Sequence, residues 1–417
     1  MIDVNGTSYK DNLDEPVVIV CVDGGSPDYI DKAMKEGYAP TFKRFKDEGF
    51  YSTAKSIIPS TTNPNNIGII TGALPDVNGV PSNWIYDRKS GVERSLESPR
   101  DLRCKTILQV FHENGIRVAS VTTKDKLRLM LGEGWYGINI SAELAHGNGK
   151  IGSIKETIKN AMDANKGNIT EKTDPWMYTE EPSHYALELA IAIMESIGPY
   201  TPDFLYVSLT DYIPHRYAPG SSMANSYFKR IDNYLGTLDR LGCVIGITAD
   251  HGMNDKYNAD GSPHAIWLDE ILDRSGVNRH WTILPITDKY GAHHGSLGGV
   301  AWVYLDEVQK AMEILSEIDG VEKIMGREEA SKTYSLPAEL IGDIVVFGDE
   351  RTVFGTEQRR HSSVPIYLRS HGSLHEQDVP FIINKPLNEK YNKRTIHGIR
   401  NFQICDYAIN GTDTNLN

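Results

Sequence analysis

Four stretches of the chain are almost unbroken apolar runs: PVVIVCVDGG (16–25), IRVASVTT (116–123), PDFLYVSLTD (202–211) and GCVIGITAD (242–250). A strand with one wet face alternates apolar and polar residues, so an unbroken run needs cover on both faces. Helical patterns lie between the runs: CKTILQVFHENG (104–115), HYALELAIAIMESIG (184–198) and YFKRIDNYLGTLDRLG (227–242). The last closes on Gly242, a C-cap residue. Strand–helix alternation predicts an α/β fold, a doubly wound and mostly parallel sheet with helices on both faces. Ligand chemistry in such sheets gathers at the carboxyl ends of the strands.

The stretch 297–368 reads differently. GGVAWVYL has the form of a strand, DEVQKAMEILSEIDG of an amphipathic helix, and IGDIVVFGD of another strand. This predicts a small α+β cap insert over the main sheet, with residues 1–296 and 369–417 forming the core domain. TVFGTEQRRHSSVP (352–365) reads as a polar loop within it.

A net charge of -13 argues against a general nucleic-acid binder, which needs a basic face. The same charge repels an anionic substrate, so positive charge has to be supplied locally, and a bound dication does so. The four cysteines, Cys21, Cys104, Cys243 and Cys405, are widely separated and form no CxxC. They read as free thiols in a reducing compartment. The first residues lack the basic and apolar regions of a secretion signal, and no apolar run is long enough to span a bilayer. The expectation is a soluble, cytoplasmic protein with no membrane or nucleic-acid partner. The sequence leaves its assembly open, a homodimer being one form.

Metal ligands fall where the carboxyl edge of the sheet would collect them. Asp23 closes VVIVCVD, Asp211 and His215 share LTDYIPHRYAPG, Asp250-His251 close VIGITADH, and His371 lies in LRSHGSLHEQDVP. A strand-terminal Asp alone is more often a turn former. Three carboxylates and three imidazoles together suit zinc, with manganese or iron as alternatives.

In IPSTTNPNNIGIITGALP (58–75), Thr62-Asn63-Pro64 reads as a helix N-terminus and Gly72 as its end. Thr62 as a plain N-cap is the simplest reading. The same geometry offers free N–H groups to a phosphoryl oxygen and a hydroxyl that can attack phosphorus. The residues alone leave Ser60, Thr61 and Thr62 open as the nucleophile. Lys124 and Lys126, in TTKDKLRLMLG, read as a solvated turn or as a carboxylate-binding pair. Asn83, in VPSNWIYD, reads as a turn residue or a donor to a phosphoryl oxygen.

VDGG, TNPNN, TDYxxH, TADHGM and the late SHG together resemble the alkaline phosphatase superfamily of two-metal hydrolases. Segments along nearly the whole chain, the TTKDK segment above all, are similar to those of its members that hydrolyse the carbon–phosphorus bond of phosphonoacetate. The resemblance implies one zinc on Asp211, His215 and His371, and another on Asp23, Asp250, His251 and the Thr62 oxygen. It implies that Thr62 is the nucleophile, passing through a phosphothreonine. It implies that Asn83 contacts the phosphoryl group of a small anionic phosphonate, that Lys124 and Lys126 bind its carboxylate, and that His215 is a further substrate-binding residue. His375 falls outside the motif and reads as a surface residue. His293 and His294, in YGAHHGSLGG, read either as lining the site or as the hinge of the insert, and the residues do not choose between the two. A phosphodiesterase or nucleotide pyrophosphatase of the same superfamily is the alternative. It needs an apolar slot for a base, for which Trp84, Tyr212 and Tyr217 are the aromatic candidates.

Overall fold

The computed structural model of the protein describes residues 1–147, 175–196, 201–358 and 364–412. Its centre is a seven-stranded sheet in the order Phe50–Lys55, Asp378–Ile383, Val244–Thr248, Val17–Cys21, Phe204–Ser208, Val118–Thr122, Ile138–Ser141. The last five run parallel, and Asp378–Ile383 is antiparallel to both of its neighbours. All four apolar runs are strands of this sheet. The chain is thus an α/β protein with a mostly parallel sheet, as the strand–helix alternation predicts.

The unbroken runs are explained by what covers them. Val17, Ile19 and Cys21 enter the core on one face, and Val18, Val20 and Val22 the core on the other. Six such residues leave no alternate wet position, and each valine or isoleucine side chain gains roughly 1.5–3 kcal/mol by burial. On the second face, helices Glu181–Glu195 and Ser222–Arg240 pack against each other over the sheet. The latter has Leu241 as its C-cap, with Gly242 in the left-handed region just beyond it. Helix Glu181–Glu195 falls short of the expected 184–198, whose residues 197–198 lie outside the described residues.

A second, antiparallel sheet runs His280–Ile283, Val300–Leu305, Ile344–Gly348, Val321–Gly326. Its first strand lies on the core side of the boundary expected at 297. One face buries Ala301, Val303, Ile344 and Val346 against helices Leu268–Arg274 and Val308–Ser316. The other turns Val300, Trp302, Val345 and Phe347 into the core that also covers the main sheet. The polar-loop reading of 352–365 needs correction at its start. Val353–Gly355 is a buried strand paired with Ala265–Trp267, because Phe354 packs with the apolar face of the second sheet and Val353 with Leu297 and Leu368. Residues 359–363 of that loop lie outside the described residues.

Candidate metal centre and active site

Four of the five parallel strands deliver a polar side chain shortly past their last residue. Asp23 follows Val17–Cys21, Lys124 follows Val118–Thr122, and Asp250-His251 follow Val244–Thr248. Asp211 follows Phe204–Ser208 and caps the short helix Tyr212–Arg216, which sets His215 one turn on. His371 arrives from the opposite direction. Its segment is held by pairing of Arg369–Ser370 with Asn254–Asp255 and by a bridge between Gly372 and Ser60. All seven of these side chains are buried.

The three imidazoles share one arrangement. Nδ1 of His215 donates to the Arg369 carbonyl at 2.7 Å, that of His251 to Gly252 at 2.8 Å, and that of His371 to Ser60 at 2.6 Å. A backbone carbonyl only accepts, so Nδ1 carries the proton and Nε2 is the nitrogen left for a metal. Two of those Nε2 atoms face carboxylates. His215 Nε2 lies 3.2 Å from Asp211 Oδ2, and His251 Nε2 lies 3.2 Å from Asp23 Oδ1. Neither Asp23 Oδ1 nor His251 Nε2 has a hydrogen-bond partner, although both are buried. Asp211, His215 and His371 bring ligand atoms within 4.8 Å of one another, and so do Asp23, Asp211 and His251. Asp250 is more committed. Its Oδ1 accepts from the Gly24 and His251 amides, and its Oδ2 from Asn66 at 3.1 Å.

The charges explain the remaining contacts. Lys124 Nζ lies 2.8 Å from Asp23 Oδ2 and 3.4 Å from Asp211 Oδ1, so one ammonium bridges two buried carboxylates. Burial works against ionisation of Asp211, yet Lys124 and His215 hold it well below the usual carboxylate range. Burial and the nearby Asp23 charge push Asp250 up to about 8. Burial pulls His251 down, but Asp250 and Asp23 outweigh it and the imidazole is pushed up to about 9. Burial and the His251 charge hold His371 well below its ordinary value. Three acids against one lysine is a site short of positive charge.

Thr62 is the first residue of helix Thr62–Thr71, and Thr61, not Thr62, is its N-cap. The expectation of Thr62 as cap is thus off by one, because the extended backbone at Thr61 (φ -130°, ψ 164°) already fills that position. Ser60 spends its hydroxyl on the Ser373 carbonyl at 2.7 Å. Ser60 and Thr61 are wholly enclosed, whereas Thr62 retains 5% exposure. Asn83 does cap this helix end: its Oδ1 accepts the Asn63 amide at 2.9 Å, while its Nδ2 reaches the Ile286 carbonyl at 3.4 Å.

Lys126 differs from Lys124. Its ammonium is paired with Asp288, and the Tyr290 ring lies 5.6 Å from it. The Tyr290 hydroxyl in turn donates to Glu143. Asp288, Tyr290 and Glu143 carry no motif of their own in the sequence. His293 and His294 also reach the site, with ring centroids 4.3 and 5.1 Å from that of His215. The signal was available as two adjacent histidines in a glycine-flanked loop. His375 lies apart, paired with Glu322 at 2.6 Å. The aromatic candidates for a base slot are not gathered together. Trp84 packs into one core and Tyr212 and Tyr217 into the other.

A mostly parallel sheet with buried carboxylates, imidazoles and a threonine-headed helix at its carboxyl edge is the architecture of a hydrolase of the alkaline phosphatase superfamily. A sequence profile of the type I phosphodiesterase / nucleotide pyrophosphatase family matches residues 17–374, and the chain belongs to that family. Crystal structures of phosphonoacetate hydrolase from Sinorhizobium meliloti 1021, bound to phosphonoformate or phosphonoacetate, are 38% identical to this chain. They superpose with a TM-score of 0.86 over 98% of both chains. Human ectonucleotide pyrophosphatase / phosphodiesterase 5 shares the fold at 16% identity and a TM-score of 0.62, over 97% of both chains. Mouse bis(5'-adenosyl)-triphosphatase enpp4 is 25% identical over 292 residues, 65% of this chain. The match spans 54% of that relative, so the chain corresponds to about half of its length. Among the described residues no helix is long and apolar enough to cross a membrane.

Proposed function

We propose that this chain hydrolyses the carbon–phosphorus bond of phosphonoacetate to acetate and phosphate, with two divalent cations, zinc by preference. The observation that carries the reading is Lys124, set between Asp23 and Asp211 at the edge of the site, in a chain 38% identical throughout to phosphonoacetate hydrolase. Asp211, His215 and His371 would hold one cation, and Asp23, Asp250, His251 and the Thr62 oxygen the other. The fit rests on the three Nε2 atoms left free by their Nδ1 bonds and on the unpartnered Asp23 Oδ1. Bound there, dications neutralise phosphoryl charge and lower the pKa of a ligated hydroxyl.

In this reading Thr62 Oγ1 attacks phosphorus in line, and the P–C bond electrons leave with the acetate fragment. That fragment takes up one proton at carbon, balancing the one that the Thr62 hydroxyl gives up to solvent on forming the O–P bond. Water then cleaves the phosphothreonine, releasing phosphate and restoring the hydroxyl. The acetate carbanion is a poor leaving group, so positive charge is needed where its negative charge develops. Lys124 supplies it once Asp23 and Asp211 serve as metal ligands. Lys126 is already neutralised by Asp288, and orients the pocket more than it charges it. Asn83 fixes the helix end that presents Thr62 and keeps an N–H for the phosphoryl oxygen. Residues 297–368 act as a cap over the core domain. Four unpaired cysteines suit a reducing compartment such as the cytoplasm.

The test is phosphate release from phosphonoacetate, phosphonoformate, 2-aminoethylphosphonate and a bis-aryl phosphodiester, with zinc and after chelation. Zinc-dependent release from phosphonoacetate far above the others is the expected result. Preference for the diester would favour phosphodiesterase activity, the reading suggested by the family profile and the enpp4 relative.

A further inference from the structure

We infer that His293 binds the carboxylate of the substrate and selects phosphonates that carry one. The inference rests on the phosphonoacetate reading and names a residue which that reading leaves without a role. His293 closes the turn Gly291–His293, in a segment anchored at two points. Asn83 holds its start, through the Pro285 carbonyl at 3.0 Å and that of Ile286 at 3.4 Å. Asp288 holds its middle, on Lys126. The chain then delivers His293 edge-on to His215, with the Tyr178 ring 5.7 Å away on another side.

His293 is 7% exposed, and both of its ring nitrogens are buried without a hydrogen-bond partner. A buried imidazole with both nitrogens unmet is costly unless something absent from the free protein pairs with it. Its Nε2 lies 3.8 Å from Asp211 Oδ1, too far for a hydrogen bond. That oxygen is the same one that Lys124 approaches at 3.4 Å. His293 and Lys124 therefore approach the same carboxylate oxygen and border one space beside it. A carboxylate has two oxygens. Lys124 satisfies one, Lys126 is committed to Asp288, and His293 offers an N–H to the other.

His215, His293 and His294 also place ring nitrogens within 4.8 Å of one another, as a metal site would. The tautomers argue against that use. Ser296 donates its amide to His294 Nδ1 at 3.1 Å, which puts the His294 proton on Nε2, opposite to the three ligand imidazoles. His215 has only Nε2 to give, and Asp211 faces it. A neutral donor fits the geometry better than a third cation.

The experiment uses the zinc-loaded full chain as wild type, His293→Ala and His293→Gln. Calorimetry gives the Kd for phosphonoformate, which bears a carboxylate, and for inorganic phosphate, which does not. Bound zinc is counted in each protein. The expected result for His293→Ala is phosphonoformate binding weaker by about 10- to 100-fold, the range for a lost hydrogen bond to a charged group. Phosphate binding and zinc content stay within about two-fold on the same scale, and His293→Gln recovers part of the loss. Equal losses for both anions, or lost zinc, would overturn the inference in favour of a structural or ligating role. So would unchanged phosphonoformate binding. Wild-type protein that binds phosphonoformate but never cleaves phosphonoacetate would sink the catalytic reading while leaving the His293 contact measurable.

Discussion

The imidazole of His251 lies flat on that of His371, with centroids 3.4 Å apart and planes 8° from parallel. One ring comes from a parallel strand and the other from the segment that enters the antiparallel strand Asp378–Ile383. With His251 pushed up to about 9 and Asp250 to about 8, the metal-free site holds protons that a dication must displace.

Zinc affinity should therefore rise with pH until both groups have lost their protons. Each displaced proton contributes up to about tenfold in affinity per pH unit below its pKa. The pH dependence ends near 9. Calorimetry at pH 7 in buffers of different ionisation enthalpy should show proton release on zinc binding. A pH-independent affinity between 6 and 9 would contradict the assignment. Zinc at about 100 times its Kd should also stabilise the fold by about 2.7 kcal/mol per site. Chelation should reverse that gain, and His371→Ala should reduce it.

Thr62→Ala should reduce turnover of phosphonoacetate by more than about 1,000-fold, as expected when a covalent nucleophile is removed. Zinc content should fall little, since the aspartates and histidines supply most ligand atoms. Thr62→Ser should retain part of the rate. Phosphorus labelling of the wild-type chain at residue 62 during turnover, and its loss in the alanine variant, gives an independent check.

Lys126 and Asp288 are both nearly enclosed, with side chains 3% and 7% exposed. Breaking such a pair from one side leaves a buried charge, at a cost of about 3–5 kcal/mol. Lys126→Met and Asp288→Asn should each destabilise by about that much in urea unfolding. The double variant should cost well below their sum. Strict additivity would mean that the two do not act as a pair.

His184 supplies the pH response of the fold away from the metal centre. It is wholly buried beside Tyr227, and neither ring nitrogen has a hydrogen-bond partner. Burial and the Arg230 charge push its pKa down to about 3. An unfolded histidine titrates near 6.5, so below that pH the unfolded chain takes up a proton that the folded one refuses. The stabilisation is complete above pH 6.5 and is lost as pH falls toward 3, by up to about 1.4 kcal/mol per unit. His184→Gln should flatten the fall of stability between pH 6.5 and 4.5 by up to one proton's worth. An unchanged slope would place the acid sensitivity elsewhere.

What the sequence revealed follows from how each feature is buried. Val17–Cys21 and Val244–Thr248 were legible because cover on both faces forces unbroken apolar runs. Ile138–Ser141 was not, since it is short and places Asn139 and Ser141 in buried positions. Asp378–Ile383 was hidden by Pro380, a residue that argues against an internal strand. The contradiction dissolves in the register. Pairing with Val244–Thr248 involves Phe381 to Ile383, and Pro380 faces only Thr53 of the outer strand. The acids and histidines of the site were legible because strand ends collect them. Asp288 on Lys126 was not, since no local pattern marks which distant loop will cover a strand's end; the paired histidines of YGAHHGSLGG were visible, but not that His293 would lie beside Asp211.

The late arrival of His371 has a consequence for synthesis. A chain still on the ribosome gains Asp23 early and Asp211, His215, Asp250 and His251 midway. With the proposed ligand set, it would lack its last imidazole until residue 371 has emerged, so a partly made polypeptide would have no complete ion trap with which to seize metal and lock a premature shape.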